Sequence, residues 1–112
     1  MGIFGFFARR RRARLIEQMA AEVAQRSYSH VMGRVRRRAA TMRVAEARGY
    51  VKSRALDIVH RELAAAHNGR IPLDPDTQTQ IISRATDTVV SGVLAELRSV
   101  PPAAKTPARK AA

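Results

Sequence analysis

Proline first appears at position 72, and that spacing constrains the fold of this chain more than any other feature. From about Ala8 onward, Ala, Leu, Met, Glu, Gln and Arg dominate, the residues that cost least to place in a helix. No stretch alternates apolar and polar residues in the manner of a half-buried strand. The chain therefore reads as all-α.

Apolar spacing divides it into three helices. Ile16, Met19, Ala20 and Val23 form one stripe at helical period, and Val31, Val35, Ala39 and Met42 form another. On one straight helix the two stripes are rotated relative to each other. Ser27, Ser29 and Gly33, all weak helix formers, lie between them. The spacing predicts a first helix over residues 8–40, kinked or broken near 27–33 or curved around its partners. A second helix is predicted over 43–67, with Thr41 as its cap. Val44, Ala47, Val51, Ala55, Ile58, Val59 and Ala66 form its buried stripe. It should end near His67-Asn68-Gly69, where Asn or Gly tolerates a left-handed cap conformation.

The third helix, over 75–98, carries the strongest start signal. In LDPDT, Asp74 is a natural cap, Pro75 suits the first helical position and Asp76 falls in the first turn. Ile82, Ala85, Val89, Val93 and Leu97 supply its apolar face, and Pro101-Pro102 marks its end. A chain of 112 residues suffices for one domain. The expected architecture is a small antiparallel three-helix bundle over residues 8–100. An apolar tip (1–7) precedes it, and a basic tail (101–112) without apolar period, expected to be disordered, follows.

The core should be thin. Aromatic residues make up only 4% of the chain, there is no Trp, and all three Phe fall at positions 4, 6 and 7. Much of the hydrophobic fraction is alanine, which buries little area per residue. Thin cores often gain stability by pairing, so a homodimer is a further expectation. With no Cys, disulfides and thiolate metal sites are excluded.

Net charge is +12, with Arg outnumbering Lys 18 to 3. Residues 1–43 hold eleven Arg against Glu17 and Glu22, a net of +9. Residues 44–68 sum to +1, 69–100 to −1 and 101–112 to +3, so the basic character sits at the two ends. Such a charge attracts nucleic acid, anionic membrane or an acidic protein partner. Arginine suits phosphate because its planar fork donates two parallel hydrogen bonds.

Little in the sequence suggests catalysis. Asp57 and His60 share a helix face, but Glu62 lies elsewhere on the wheel and no His-Glu-x-x-His spacing occurs. No glycine-rich loop opens a helix after a strand. No enzymatic activity, metal or other cofactor is expected. Gln78, Gln80 and Arg84 could make the third helix a base-reading element behind a helix-turn-helix. Asp74, Asp76 and Asp87 surround that surface and oppose phosphate, and the connection from Asn68 to Asp74 is long for the motif.

Two basic clusters remain. Arg34, Arg36, Arg37 and Arg38 lie near the end of the first helix. Arg34, Arg37 and Arg38 project within one face, and Arg26 approaches the same side. In MGIFGFFARRRRARL, Ile3, Phe4, Phe6 and Phe7 run into Arg9, Arg10, Arg11, Arg12 and Arg14. Charges follow the apolar stretch, which does not fit a secretory signal, and Phe6 stands where a myristoylation signal wants Ser or Thr. The arginines point in nearly every direction on a wheel, so an in-plane amphipathic helix is not expected. The stretch reads either as an apolar tip with a basic collar or as aromatics that fold back onto the bundle.

Two functions follow as expectations. The first is a largely non-sequence-specific nucleic-acid-binding protein, cytoplasmic or nucleoid-associated. It would hold phosphate through these arginines and through Lys105, Arg109 and Lys110 of the tail. The second is a membrane-peripheral or assembly protein anchored by its amino-terminal stretch.

Overall fold

The computed structural model describes residues 2–67 and 73–99. Helix α1 spans Gly2–Ala39, α2 spans Val44–His67 and α3 spans Pro75–Ser99. All three helix pairs are in contact. Arg26 of α1 meets Glu62 of α2, whereas Arg12 and Arg36 of α1 meet Asp76 and Glu96 of α3. The chain therefore runs up, down and up, with α1 parallel to α3 and α2 antiparallel to both. The three-helix bundle expected from the apolar spacing is the observed fold.

Helix α1 departs from expectation at its start. It begins at Gly2 rather than Ala8, so the apolar residues and the arginine run belong to one helix. It is also unbroken through residues 27–33. Ser27 explains the continuity. Its side chain is fully buried and fills the gap in the row Val23, Ser27, Val31, Val35, each four residues on and each fully buried. Ile16, Ala20, Ala24 and Ala39 extend the same stripe. A small hydroxyl acts here as a core residue, and its Oγ has no hydrogen-bond partner. Gly33 lies on the exposed side of the continuous helix.

Core positions of the other two helices follow the helical period. Helix α2 buries Ala47, Val51, Ala55, Ile58, Val59, Leu63 and Ala66, while Val44 at its start is 60% exposed. Helix α3 buries Thr77, Ile81, Ala85, Thr86, Val89, Val90, Val93 and Leu94. Ile81, and not Ile82, points fully inward. Among the described residues the core cluster is built from Ala, Val, Ile, Leu and Met, and neither Phe6 nor Phe7 enters it.

The caps come from local chemistry. Asp74 accepts the Thr77 backbone N–H (3.1 Å) and the Thr77 hydroxyl, and those bonds hold its carboxyl below its ordinary pKa. Arg12 reaches across from α1, with Nη2 2.6 Å from Asp76 Oδ2 and Nε 3.1 Å from Thr77 Oγ1. At the other end, Thr41 does not cap α2 as expected. Its hydroxyl donates back to the Arg38 carbonyl at 2.9 Å and so finishes α1. Arg43 occupies the cap position of α2, and its backbone N–H donates to Glu46 Oε1 at 3.3 Å, half of a capping box.

A second α1–α3 contact sits at Tyr28. Its hydroxyl donates to Glu96 Oε1 and lies 3.2 Å from the Gly92 carbonyl. Arg36 Nη2 stands 3.4 Å from the other carboxylate oxygen of Glu96. Burial and the Glu96 carboxylate push the Tyr28 phenol up to about 12. The ring passes so close to α3 that a Cβ at position 92 would lie 3.0 Å from Tyr28 Cε1. A side chain at position 92 would therefore press on the Tyr28 ring, whereas a Cβ at Gly33 or Gly49 would meet nothing within 4 Å.

Two outcomes are expected. Gly33→Ala and Gly49→Ala should each stabilise the fold by about 0.5–1 kcal/mol in urea unfolding, the ordinary gain of alanine over glycine within a helix. Gly92→Ala should not, because the Tyr28 ring must shift. The Tyr28 phenol holds its proton more tightly folded than unfolded, so its stabilisation is complete below pH 10 and is lost as pH rises towards 12. The stability difference between the native chain and Tyr28→Phe should shrink across that window. A difference independent of pH would contradict this assignment.

Candidate nucleic-acid interface

On α1, Arg26, His30, Arg34 and Arg38 recur every four residues and form one row. On α2, Tyr50, Arg54 and Ile58 recur at the same interval beside the buried positions Val51, Ala55 and Val59. Because α1 and α2 are antiparallel, the two rows face each other across a groove. At its closed end, the Arg38 guanidinium lies 5.9 Å and that of Arg54 5.3 Å from the centre of the Tyr50 ring. At its middle, His30, Arg34, Ile58, Arg61 and Glu62 line a cleft of about 170 Å³. That is smaller than the ~300 Å³ at which small-molecule pockets begin, and it suits a group the size of a phosphate.

One acidic residue lines this cleft. Glu62 lies 3.4 Å from Arg26 Nε and 3.8 Å from His30 Nε2. Arg26 also pairs with Glu22 at 3.4 Å. Arg26 is thus held between two carboxylates. Arg34, Arg38 and Arg61 are exposed and Arg54 is partly buried, and none of the four has a carboxylate partner among the described residues.

The arginines singled out in the sequence have different surroundings in the structure. Arg36 stands apart from the face that Arg34, Arg37 and Arg38 share. Arg36 turns to α3 and pairs with Glu96, because two residues along a helix is a rotation of about 200°. Arg34 and Arg38 face α2, and Arg37 is exposed beside them. Arg12 is a structural clamp on Asp76 and Thr77, with Asp74 3.9 Å away. Arg9, Arg10, Arg11 and Arg14 are exposed, with Arg9 Nε 3.4 Å from the Gly5 carbonyl. Lys105, Arg109 and Lys110 lie outside the described residues, as does the side chain of Phe4.

Phe6 and Phe7 do not fold back onto the bundle. Phe6 is 51% and Phe7 54% exposed, and their rings meet each other edge to face at 5.8 Å. Ile3 is 68% exposed. No helix among the described residues is long and apolar enough to cross a membrane.

The other candidates come apart. His60 lines a separate cleft with Lys52, Leu56 and Asp87, while Asp57 is exposed. Among the described residues no three metal-ligating side chains gather. Gln78 Nε2 donates to the Leu73 carbonyl and Gln80 Nε2 to Asp76, both at 3.1 Å. The amides suited to reading bases are engaged in the start of their own helix.

Sequence reasoning misses His30, Tyr50, Arg54, Arg61 and Glu62 as members of one site. The signal is present as the four-residue recurrence 50, 54, 58 flanking the α2 core stripe, which pairs with 26, 30, 34, 38 only once the helices are known to be antiparallel. Comparison with protein-family models, with curated proteins and with solved structures finds no match.

Proposed function

We propose that this protein binds nucleic acid through the α1–α2 face, holding backbone phosphates with little preference for sequence. The observation that carries the reading is the convergence of Arg34 and Arg38 with Arg54 and Arg61 across one groove. They come from separate helices and lack carboxylate partners among the described residues. Cations at the end of a helix can be explained by its macrodipole, but α1 and α2 run in opposite directions. Arg54 and Arg61 lie in the body of α2, where that explanation does not reach.

Guanidinium groups placed in a row along a groove suit a polyanion more than a compact acidic ligand. Each can donate two hydrogen bonds to one phosphate, and each phosphate so neutralised releases a condensed counterion. Tyr50 adds an aromatic face among the cations, the element on which unpaired bases stack. The groove presents few neutral donors or acceptors with which to distinguish bases, hence the weak sequence preference.

The test is the salt dependence of binding to a short duplex. Changing Arg34, Arg38, Arg54 and Arg61 together to Gln should reduce the slope of log K against log salt by about 3–4, roughly 0.9 for each phosphate left without its guanidinium. Changing Arg12 and Arg36 to Gln removes two charges already paired within the bundle and should alter the slope far less. Equal effects from the two sets would overturn the reading.

A further inference from the structure

Helix α1 outruns its partners. Among the described residues, Arg12 is the first of its side chains to bond another helix, and Ile16 the first to be buried. Residues 2–11 therefore extend past the bundle for about 15 Å. Ile3, Phe6 and Phe7 stand at i, i+3 and i+4 and share one face of this overhang, each more than half exposed. Arg10, one turn further on, holds its guanidinium 5.3 Å from the centre of the Phe6 ring. Arg9, Arg11 and Arg14 complete a collar with no carboxylate partner among the described residues, and the first acidic residue of the chain is Glu17.

We propose that this overhang docks on an anionic lipid bilayer. Ile3, Phe6 and Phe7 enter the outer acyl region, and Arg9, Arg10, Arg11 and Arg14 meet the headgroup phosphates and carboxylates. The spacing fits. The collar from Arg9 to Arg14 covers about 7.5 Å of helix, close to the ~5–7 Å that separates the hydrocarbon boundary from the outer edge of the headgroups. Long arginine stems can lie along apolar surface while their charges stay in the polar layer.

Other occupants fit less well. A second copy would bring two collars of the same sign together. Nucleic acid would satisfy the arginines and leave Ile3 in water. The bundle itself is out of reach, because the overhang is continuous helix with the part of α1 that is packed from Ile16 onward. The element is already helical, so docking does not carry the ordering cost that a loose terminus would. It is also separate from the α1–α2 groove. Phe7 and Arg34 are 27 residues apart on one helix, about 40 Å, so either surface can fail without the other.

Vesicle flotation of the full chain tests the proposal, using phosphatidylcholine vesicles with and without about 30% phosphatidylserine. The native chain should float with the anionic vesicles and much less with the neutral ones. Changing Ile3, Phe6 and Phe7 together to Ala should lower partitioning about tenfold or more, because exposed side chains are removed and the bundle is untouched. Unchanged thermal unfolding would verify that the bundle is intact. Changing Arg34, Arg38, Arg54 and Arg61 to Gln should leave most of the binding in place. Full binding by the triple alanine variant would mean charge attraction alone and would overturn the proposal. Failure of the native chain to float would do the same. So would a native dimer that the triple variant turns into a monomer in sedimentation equilibrium, since a second copy would then cover the tip.

Discussion

Burial of one apolar stripe on α1, from Ile16 to Ala39, sets the position of everything else. The stripe occupies a little under two thirds of a 38-residue helix about 57 Å long. Helices α2 and α3, of 24 and 25 residues, are about 36–38 Å long and match the stripe, not the helix. The overhang at the amino terminus follows from that mismatch. So does the orientation of the row Arg26, His30, Arg34, Arg38, which flanks the stripe on the side of α2. Ser27 makes the arrangement continuous, because any break there would rotate the basic row away from Tyr50 and Arg54.

The many ion pairs do not hold this fold together. Arg12–Asp76, Arg26–Glu22 and Arg36–Glu96 join exposed side chains, and such pairs contribute about 0–1 kcal/mol each. A fully buried Val, Ile or Leu contributes about 1.5–3 kcal/mol. The pairs matter for what they withdraw. Arg12, Arg26 and Arg36 are matched within the protein, which confines the unmatched positive charge of the described residues largely to the overhang and to the faces of α1 and α2. Geometry has thus sorted a high net charge into structural cations and available ones.

Much of the fold is legible in the sequence. The Asp74-Pro75 start, the α2 stripe and the absence of proline before position 72 depend on local chemistry, which a sequence displays directly. Ser27 is a weak helix former by propensity, a local measure, and the burial of its small side chain in the packing against α2 and α3 is what the sequence does not display. Thr41 misleads because a hydroxyl between two helices can finish one or start the other. The phenylalanines offer two readings, and for Phe6 and Phe7 their exposure on a continuous α1 decides between them. The groove is the least legible feature. Arg54 and Arg61 look like scattered charges on a neutral stretch until antiparallel packing sets them opposite Arg34 and Arg38.

Nuclear magnetic resonance of the arginine Nε–Hε groups during titration with a short oligonucleotide tests the central claim most directly, because it reads each guanidinium separately. The largest shifts should fall at Arg34, Arg38, Arg54 and Arg61, with a response at the Tyr50 ring and little change at Arg12 or Arg36. Shifts centred on Arg84 with Gln78 and Gln80, or confined to residues 9–14, would contradict binding through the α1–α2 groove.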